Sequence, residues 1–214
     1  MVTQEDPVST GLVVSLAHPG GNVTGVTSLS RDLGSKRLGL LKDIVPKISR
    51  IGVLWDRSDA TSAALGFKEY QAAATGLKTS LQSLEVTGPN PDFEGVFQTA
   101  VKARISALIT IRNFLLNRYQ KQIADLAIRN HLPSLCERVD YVEAGCLVSY
   151  SSNDSDNYRR AAYFVDRILK GAKPGDLPVE QPTKFEFVVN LKTAKQIGLV
   201  IPPEVLARAN RIIR

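Results

Sequence analysis

The sequence predicts an α/β protein built on an open parallel sheet flanked by helices. Two observations carry that expectation. Between Ile51 and Tyr150, short runs rich in Ile, Val and Leu recur, apolar throughout rather than alternating, as strands buried on both faces are. Between these runs the apolar residues switch to helical spacing. Strands that alternate with helices call for parallel neighbours joined by right-handed crossovers, which cover both faces of a sheet.

The elements follow in order. Residues 6 to 17 read as a helix, Asn22 to Thr27 as a short extended piece, and Ser35 to Ile44 as a helix ended by Pro46. Ile51 to Trp55 is the first buried strand, bounded by Arg50 and Asp56. A helix from Thr61 to Thr75 carries Ala64, Phe67 and Ala74 on its apolar stripe, with Gly76 as its stop. Leu81, Leu84 and Val86 mark a second strand, Gly88 to Asp92 a turn, and Phe93, Val96, Phe97, Ala100 and Val101 a helix. Ala107 to Ile111 is the third strand, followed by a helix over Asn117 to Asn130. Pro133 to Cys136 gives the fourth strand, Asp140 to Glu143 a helical turn, and Leu147 to Tyr150 the fifth. The expected strand order is 2-1-3-4-5. Outside this unit lie a long helix from Asn157 to Lys170, an extended arm from Gly175 to Lys184, a strand through Phe187, and a last helix after Pro202 and Pro203.

Composition narrows the function. The 214 residues are 43% hydrophobic and 22% charged, as in an ordinary folded domain. Net charge is +6, but the 27 basic residues are scattered, and the densest pairs, Lys36-Arg37 and Arg159-Arg160, fall in helical patterns and read as solvated faces. No nucleic-acid partner is expected. No apolar stretch reaches the roughly 18 residues of a membrane span, and the opening MVTQEDPVST has no apolar core of a signal peptide. Cys136 and Cys146 lack metal spacing, and as strand-exit and strand-entrance residues of parallel neighbours they are expected to stay apart as buried small hydrophobes rather than form a disulfide.

Catalytic arrangements are thin. His18 and His131 both adjoin turns, and no GxSxG, Walker A or HExxH pattern occurs. Pro19-Gly20-Gly21-Asn22 is not followed by a helix that could hold an anion, so it reads as a turn rather than a phosphate cradle. Asp154 and Asp156 precede a helix, where acids complement the dipole. No catalytic residue, cofactor or metal is expected. Position is more informative. In an open parallel sheet, ligands bind beyond the carboxyl ends of the strands. That rule selects Asp56, Arg57 and Ser58 after the first strand and Arg112 and Asn113 after the third. It also selects Glu137 and Arg138 after the fourth, and Tyr150, Ser151, Ser152 and Asn153 after the fifth. Such a rim suits a small polar or zwitterionic ligand.

Two blocks of sequence carry a family resemblance. Asn157 to Leu199, NYRRAAYFVDRILKGAKPGDLPVEQPTKFEFVVNLKTAKQIGL, closely resembles the C-terminal signature of the substrate-binding proteins of ABC transporters related to tryptophan- and tyrosine-binding lipoproteins. Asp6 to Gly25, DPVSTGLVVSLAHPGGNVTG, resembles that family's Asp-Pro-Val opening and its Pro-Gly-Gly-Asn-x-Thr-Gly turn, with His18 where Arg is more usual. The resemblance implies a type I periplasmic-binding-protein fold. In it, residues 47–150 form a complete, flavodoxin-like C-terminal lobe. Residues 1–46 are hinge and remnant of an incomplete N-terminal lobe, since the chain starts five residues before Asp-Pro-Val, and residues 151–214 are crossover helix, hinge arm and C-terminal segment. It implies an extracytoplasmic importer component that captures a small solute, an amino acid being the leading candidate, in an interlobe cleft and delivers it to an ABC permease. Asp6, Pro7, Thr24 and Gly25 match motif positions beside that cleft. Leu12, Val13 and Leu16, with Ala161, Phe164, Val165 and Ile168, are expected to lack a complete packing partner, which favours a homodimer through the flanking helices. Two other classes remain open, a cytoplasmic ligand sensor of the same fold and a small α/β enzyme.

Overall fold

A computed structural model describes residues 1–28, 33–59 and 62–214. The chain forms two compact units, Leu33–Tyr150 with Glu186–Arg214, and Met1–Asp32 with Ser151–Phe185.

The larger unit is organised by its sheet. Strand β3 (Arg50–Asp56) pairs in parallel with β4 (Ser80–Val86), from Arg50 opposite Ser80 to Asp56 opposite Val86, and on its other side with β5 (Ala107–Thr110). Strands β6 (Ser134–Cys136) and β7 (Val148–Ser152) continue in parallel. Then come β8 (Phe185–Asn190) and β9 (Arg211–Ile213), in the order β4-β3-β5-β6-β7-β8-β9. The first five strands therefore take the order read from the sequence. The strand through Phe187 does not stand outside the sheet as expected: Asn190 N–H donates to the Leu147 carbonyl, and Val188 and Val189 are fully buried.

Side chains alternate across the sheet, so successive residues serve opposite cores. Val53 and Ile109 join Leu38, Leu41 and Ile44 of α1 (Gly34–Ile44), Tyr70 of α2 (Ser62–Gly76) and Val205 of α9 (Pro203–Leu206). Leu54 and Leu108 join Phe93 and Phe97 of α3 (Phe93–Lys102), Ile123 and Leu126 of α5 (Gln120–Arg129) and Tyr141 of α6 (Val139–Glu143). Helix α8 (Leu191–Gln196) adds Ala194 to the first of these cores.

Several boundaries differ from expectation. The helix expected over Asn117 to Asn130 is two: α4 (Phe114–Arg118) starts early because the Asn113 side chain accepts from Leu116 N–H, and α5 follows after Tyr119. Gly76 is the last helical residue of α2 rather than its stop, and the left-handed turn falls on Lys78 (φ 53°). The expected start at Thr61 lies outside the described residues. Cys136 and Cys146 form a disulfide, with Cα atoms 6.7 Å apart. The expectation that strand stagger separates them fails because Cys146 belongs to the connection before β7. There its N–H donates to the Tyr141 carbonyl, turning the residue into the same core as Cys136.

The smaller unit contains β1 (Val2–Thr3), paired in parallel with β2 (Val26–Thr27), and α7 (Asp154–Leu169). Residues 6 to 17 form tight turns, not the expected helix: Leu12 and Val13 N–H both donate to the Pro7 carbonyl, and Gly11 at φ +73° reverses the chain. Residues 177–180 run beside β2, with Glu180 N–H donating to the Gly25 carbonyl and Thr27 N–H to the Glu180 carbonyl. Of the apolar side chains expected to lack cover, Val13 and Phe164 are buried, while Leu12, Val165 and Ile168 are exposed.

Candidate functional site

The carboxyl ends of β3, β5, β6 and β7 gather polar side chains on one rim of the larger unit. At the first exit, Asp56 is buried: Oδ1 accepts from Ser58 N–H (2.9 Å) and Ser58 Oγ (2.6 Å), and Oδ2 from Asn113 Nδ2 (2.7 Å). Asn113 Oδ1 in turn accepts from Leu116 N–H at 2.9 Å, so one chain of bonds joins the β3 exit to the start of α4. A carboxylate offers about four acceptor positions, and three of those of Asp56 are used within the protein.

The exits of β5, β6 and β7 converge on a second cluster. Glu137, directly after β6, accepts from Arg37 Nη1 at 2.7 Å and Tyr70 Oη at 2.8 Å through Oε1, and from Arg112 N–H at 3.0 Å through Oε2. Arg37 Nε donates to the Tyr150 carbonyl at 2.9 Å. Arg37 and Glu137 are 0% and 1% exposed. Burial disfavours the charge on Arg37, but attraction to Tyr70 and Glu137 outweighs it and its pKa lies above the ordinary guanidinium value. Burial, reinforced by Glu137 and opposed by Arg37, drives the Tyr70 phenol far up. Arg37 is therefore not on a solvated helix face. The signal was present in its spacing, since residues 37, 41 and 44 lie on one helical face and Leu41 and Ile44 are core residues.

In the smaller unit, a cavity of about 540 Å³ is lined by Val26, Asn153, Asp156, Asn157, Arg160, Tyr163 and residues 180–184. Asn153 caps α7 by accepting from Asp156 N–H at 3.0 Å, so the helix begins at Asp154 rather than Asn157. Ser152 Oγ accepts from Asn157 Nδ2 at 3.1 Å. Arg160 pairs with both oxygens of Glu180 at 2.5 Å and lies 3.9 Å from the Tyr163 ring centroid. The hydrogen bond to Glu180 raises the Arg160 pKa.

The sequence-selected residues thus fall into groups. Asp56, Ser58 and Asn113 form one bonded cluster, and Arg112 and Tyr150 are tied to another through their backbones. Tyr150, Ser151 and Ser152 lie within β7, which runs past its expected end at Tyr150, rather than in a loop after it; Ser151 and Ser152 are buried, and Asn153 is a helix cap. Asp6 accepts from Val8 and Ser9 N–H in an exposed turn, Pro7 is buried, and Thr24 Oγ1 donates to the Leu177 carbonyl at 2.6 Å. Gly25 has φ +145°. Among the described residues no group of three His, Cys, Asp or Glu could hold a metal ion, and no helix is long and apolar enough to cross a membrane.

An open parallel sheet with the order 2-1-3-4-5 in its first five strands and a polar rim at its carboxyl end is a flavodoxin-like doubly wound arrangement, and the solved structures that the chain resembles give it the type I periplasmic-binding-protein fold. Residues 1–213 match the family described as ABC transporter substrate binding protein, and the chain belongs to that family. Over 208 residues it is 26% identical to the tyrosine-binding protein of Clostridioides difficile (strain R20291), a match that covers 93% of this chain and 56% of that relative. Among solved structures it resembles the ABC domain in complex with L-Trp from Streptococcus pneumoniae, with a TM-score of 0.84 and 26% identity over 97% of this chain and 70% of that one. It also resembles a conserved domain protein from Vibrio cholerae O1 biovar eltor, with a TM-score of 0.83 and 28% identity over 97% of this chain and 68% of that one.

Proposed function

We propose that this chain is the solute-capturing component of an ABC-type importer, working outside the cytoplasm and passing an amino acid to a membrane permease. The observation that carries this reading is the family match over residues 1–213, with relatives described as tyrosine-binding and as holding L-Trp. Residues 47–150 correspond in this reading to the family's C-terminal lobe, and no chemistry is performed on the solute. The rim supplies what a zwitterion requires. The Arg112 guanidinium suits a carboxylate. The remaining acceptor position of Asp56 and the Tyr150 hydroxyl suit an ammonium. Ser58, Asn113, Ser151, Ser152 and Asn153 add neutral partners, and Asp6, Pro7, Thr24 and Gly25 complete the proposed set.

Calorimetry against the L-amino acids tests the reading, starting with tyrosine and tryptophan. One or a few are expected to bind and to stabilise the fold, by about 2.7 kcal/mol at a hundredfold excess over Kd. Arg112→Ala is expected to weaken binding about tenfold or more, as losing a charged hydrogen bond does. Absence of any heat or thermal shift across the set would defeat the proposal. Self-association belongs to the same proposal: Val165, Ile168 and Leu169 are exposed along α7, and a second copy covering them would remove that apolar surface from water. Sedimentation of the wild type and of Leu169→Lys decides it, with a monomer in both cases sinking the idea.

A further inference from the structure

We propose that the buried Arg37–Glu137 pair is the positioning device of the solute site, holding the loops after β5 and β6 and the strand β7 in one geometry; this rests on the reading of the rim as an amino-acid site. A buried ion pair is a weak source of stability, because desolvation cancels most of the Coulombic gain and apolar residues of similar volume serve as well or better. What apolar residues cannot do is bond to backbone, and here the pair does so on both sides. Glu137 follows β6 and accepts the N–H of Arg112, after β5. Arg37 donates to the carbonyl of Tyr150, near the end of β7. The two residues are joined at 2.7 Å, and Tyr70 braces both, at 2.8 Å from Glu137 Oε1 and 3.3 Å from Arg37 Nη1. One charge pair on α1 and the β6 exit therefore sets where the side chains of Arg112 and Tyr150 begin. A preorganised site needs such a supporting layer. Arg37 and Glu137 are positioning residues, since at 0% and 1% exposure they are shut off from solvent, and they hold Tyr150 and Arg112 by backbone atoms.

The test compares wild type with Arg37→Leu/Glu137→Leu and with Glu137→Gln, using three readouts: thermal midpoint, amide hydrogen exchange at Arg112, and calorimetric affinity for the amino acids. Removing both charges together avoids leaving a lone buried ion, but it strips the partners from Arg112 N–H, Tyr70 Oη and the Tyr150 carbonyl, so the thermal midpoint is expected to fall moderately while the chain stays folded. Exchange at Arg112 should accelerate and affinity fall, each by about tenfold, the effect of one lost hydrogen bond. Glu137→Gln keeps an oxygen acceptor and should restore part of both. A folded double variant with wild-type exchange and affinity would overturn the proposal. If the double variant does not fold, Glu137→Gln decides alone: faster exchange with weaker binding supports the role, and no change in either overturns it. A wild-type chain that binds no amino acid sinks the functional reading alone. Exchange at Arg112 in the variants then still upholds or overturns the pair as the anchor of these loops.

Discussion

Gly25 occupies a backbone region closed to other residues, at φ +145°, and a Cβ there would lie 2.0 Å from the Met1 carbonyl oxygen. Gly25→Ala is expected to destabilise the smaller unit by at least about 1–3 kcal/mol from backbone strain alone, with the contact adding to it. Chemical denaturation checks this, and a wild-type midpoint would contradict the geometry. Asp56 shows why a polar strand-end residue is ambiguous in sequence. Position selected it for a ligand, yet three of its acceptor positions serve Ser58 and Asn113. Asp56→Ala should therefore cost about 1–3 kcal/mol through the buried groups it leaves unpaired, with or without solute present. Stability equal to wild type in the absence of solute would show that the cluster does not hold the β3 exit. Arg37 was legible by spacing but not by type, because charged residues are so seldom buried that a basic pair in a helix reads as solvated.

At the scale of elements, β3 to β6 were read within a residue at each end, while β7 runs two residues past its expected end, β1 and β9 were not foreseen, and the starts of α4 and α7 were missed. A buried parallel strand is a continuous apolar run bounded by polar residues, as Ile51 to Leu54 are between Arg50 and Asp56. A helix start depends on one capping side chain. Asn113 begins α4 ahead of any apolar periodicity, and Asn153 begins α7 ahead of its stripe. Asn153→Ala is expected to cost about 1 kcal/mol, seen as a lower denaturation midpoint, while Asn153→Asp keeps the cap and should be near neutral. Residues 6 to 17 carry helix-like apolar spacing but turn instead. Asp6 binds the N–H groups of Val8 and Ser9, and Gly11 adopts a positive φ, so the backbone leaves the helix before a second turn forms.

For the whole molecule, pH reports the buried network. Tyr70 and Tyr141 both have pKa values well above the ordinary 10.0, in each case chiefly by burial. The folded chain keeps these protons where the unfolded chain releases them. Their contribution is full below about pH 10 and is lost as pH rises past it, at up to about 1.4 kcal/mol per unit for each phenol. Urea unfolding from about pH 8 to pH 11 should show this decline, and Tyr141→Phe should flatten it; an unchanged slope would place the loss elsewhere. The alternation of buried strands and amphipathic helices and the family blocks were written in the chain, because they follow from local periodicity and short-range motifs; the strand order was an expectation that periodicity does not determine, and it is met for five of the seven strands of the sheet. Periodicity records which side of an element is buried but not what lies across from it. The partner of Arg37 is 100 residues away, β8 joins the sheet beside β7 after the whole of α7 has intervened, and Cys146 meets Cys136 through the turn of the chain around α6. Those pairings were decided by tertiary packing, which brings together groups that no local pattern names.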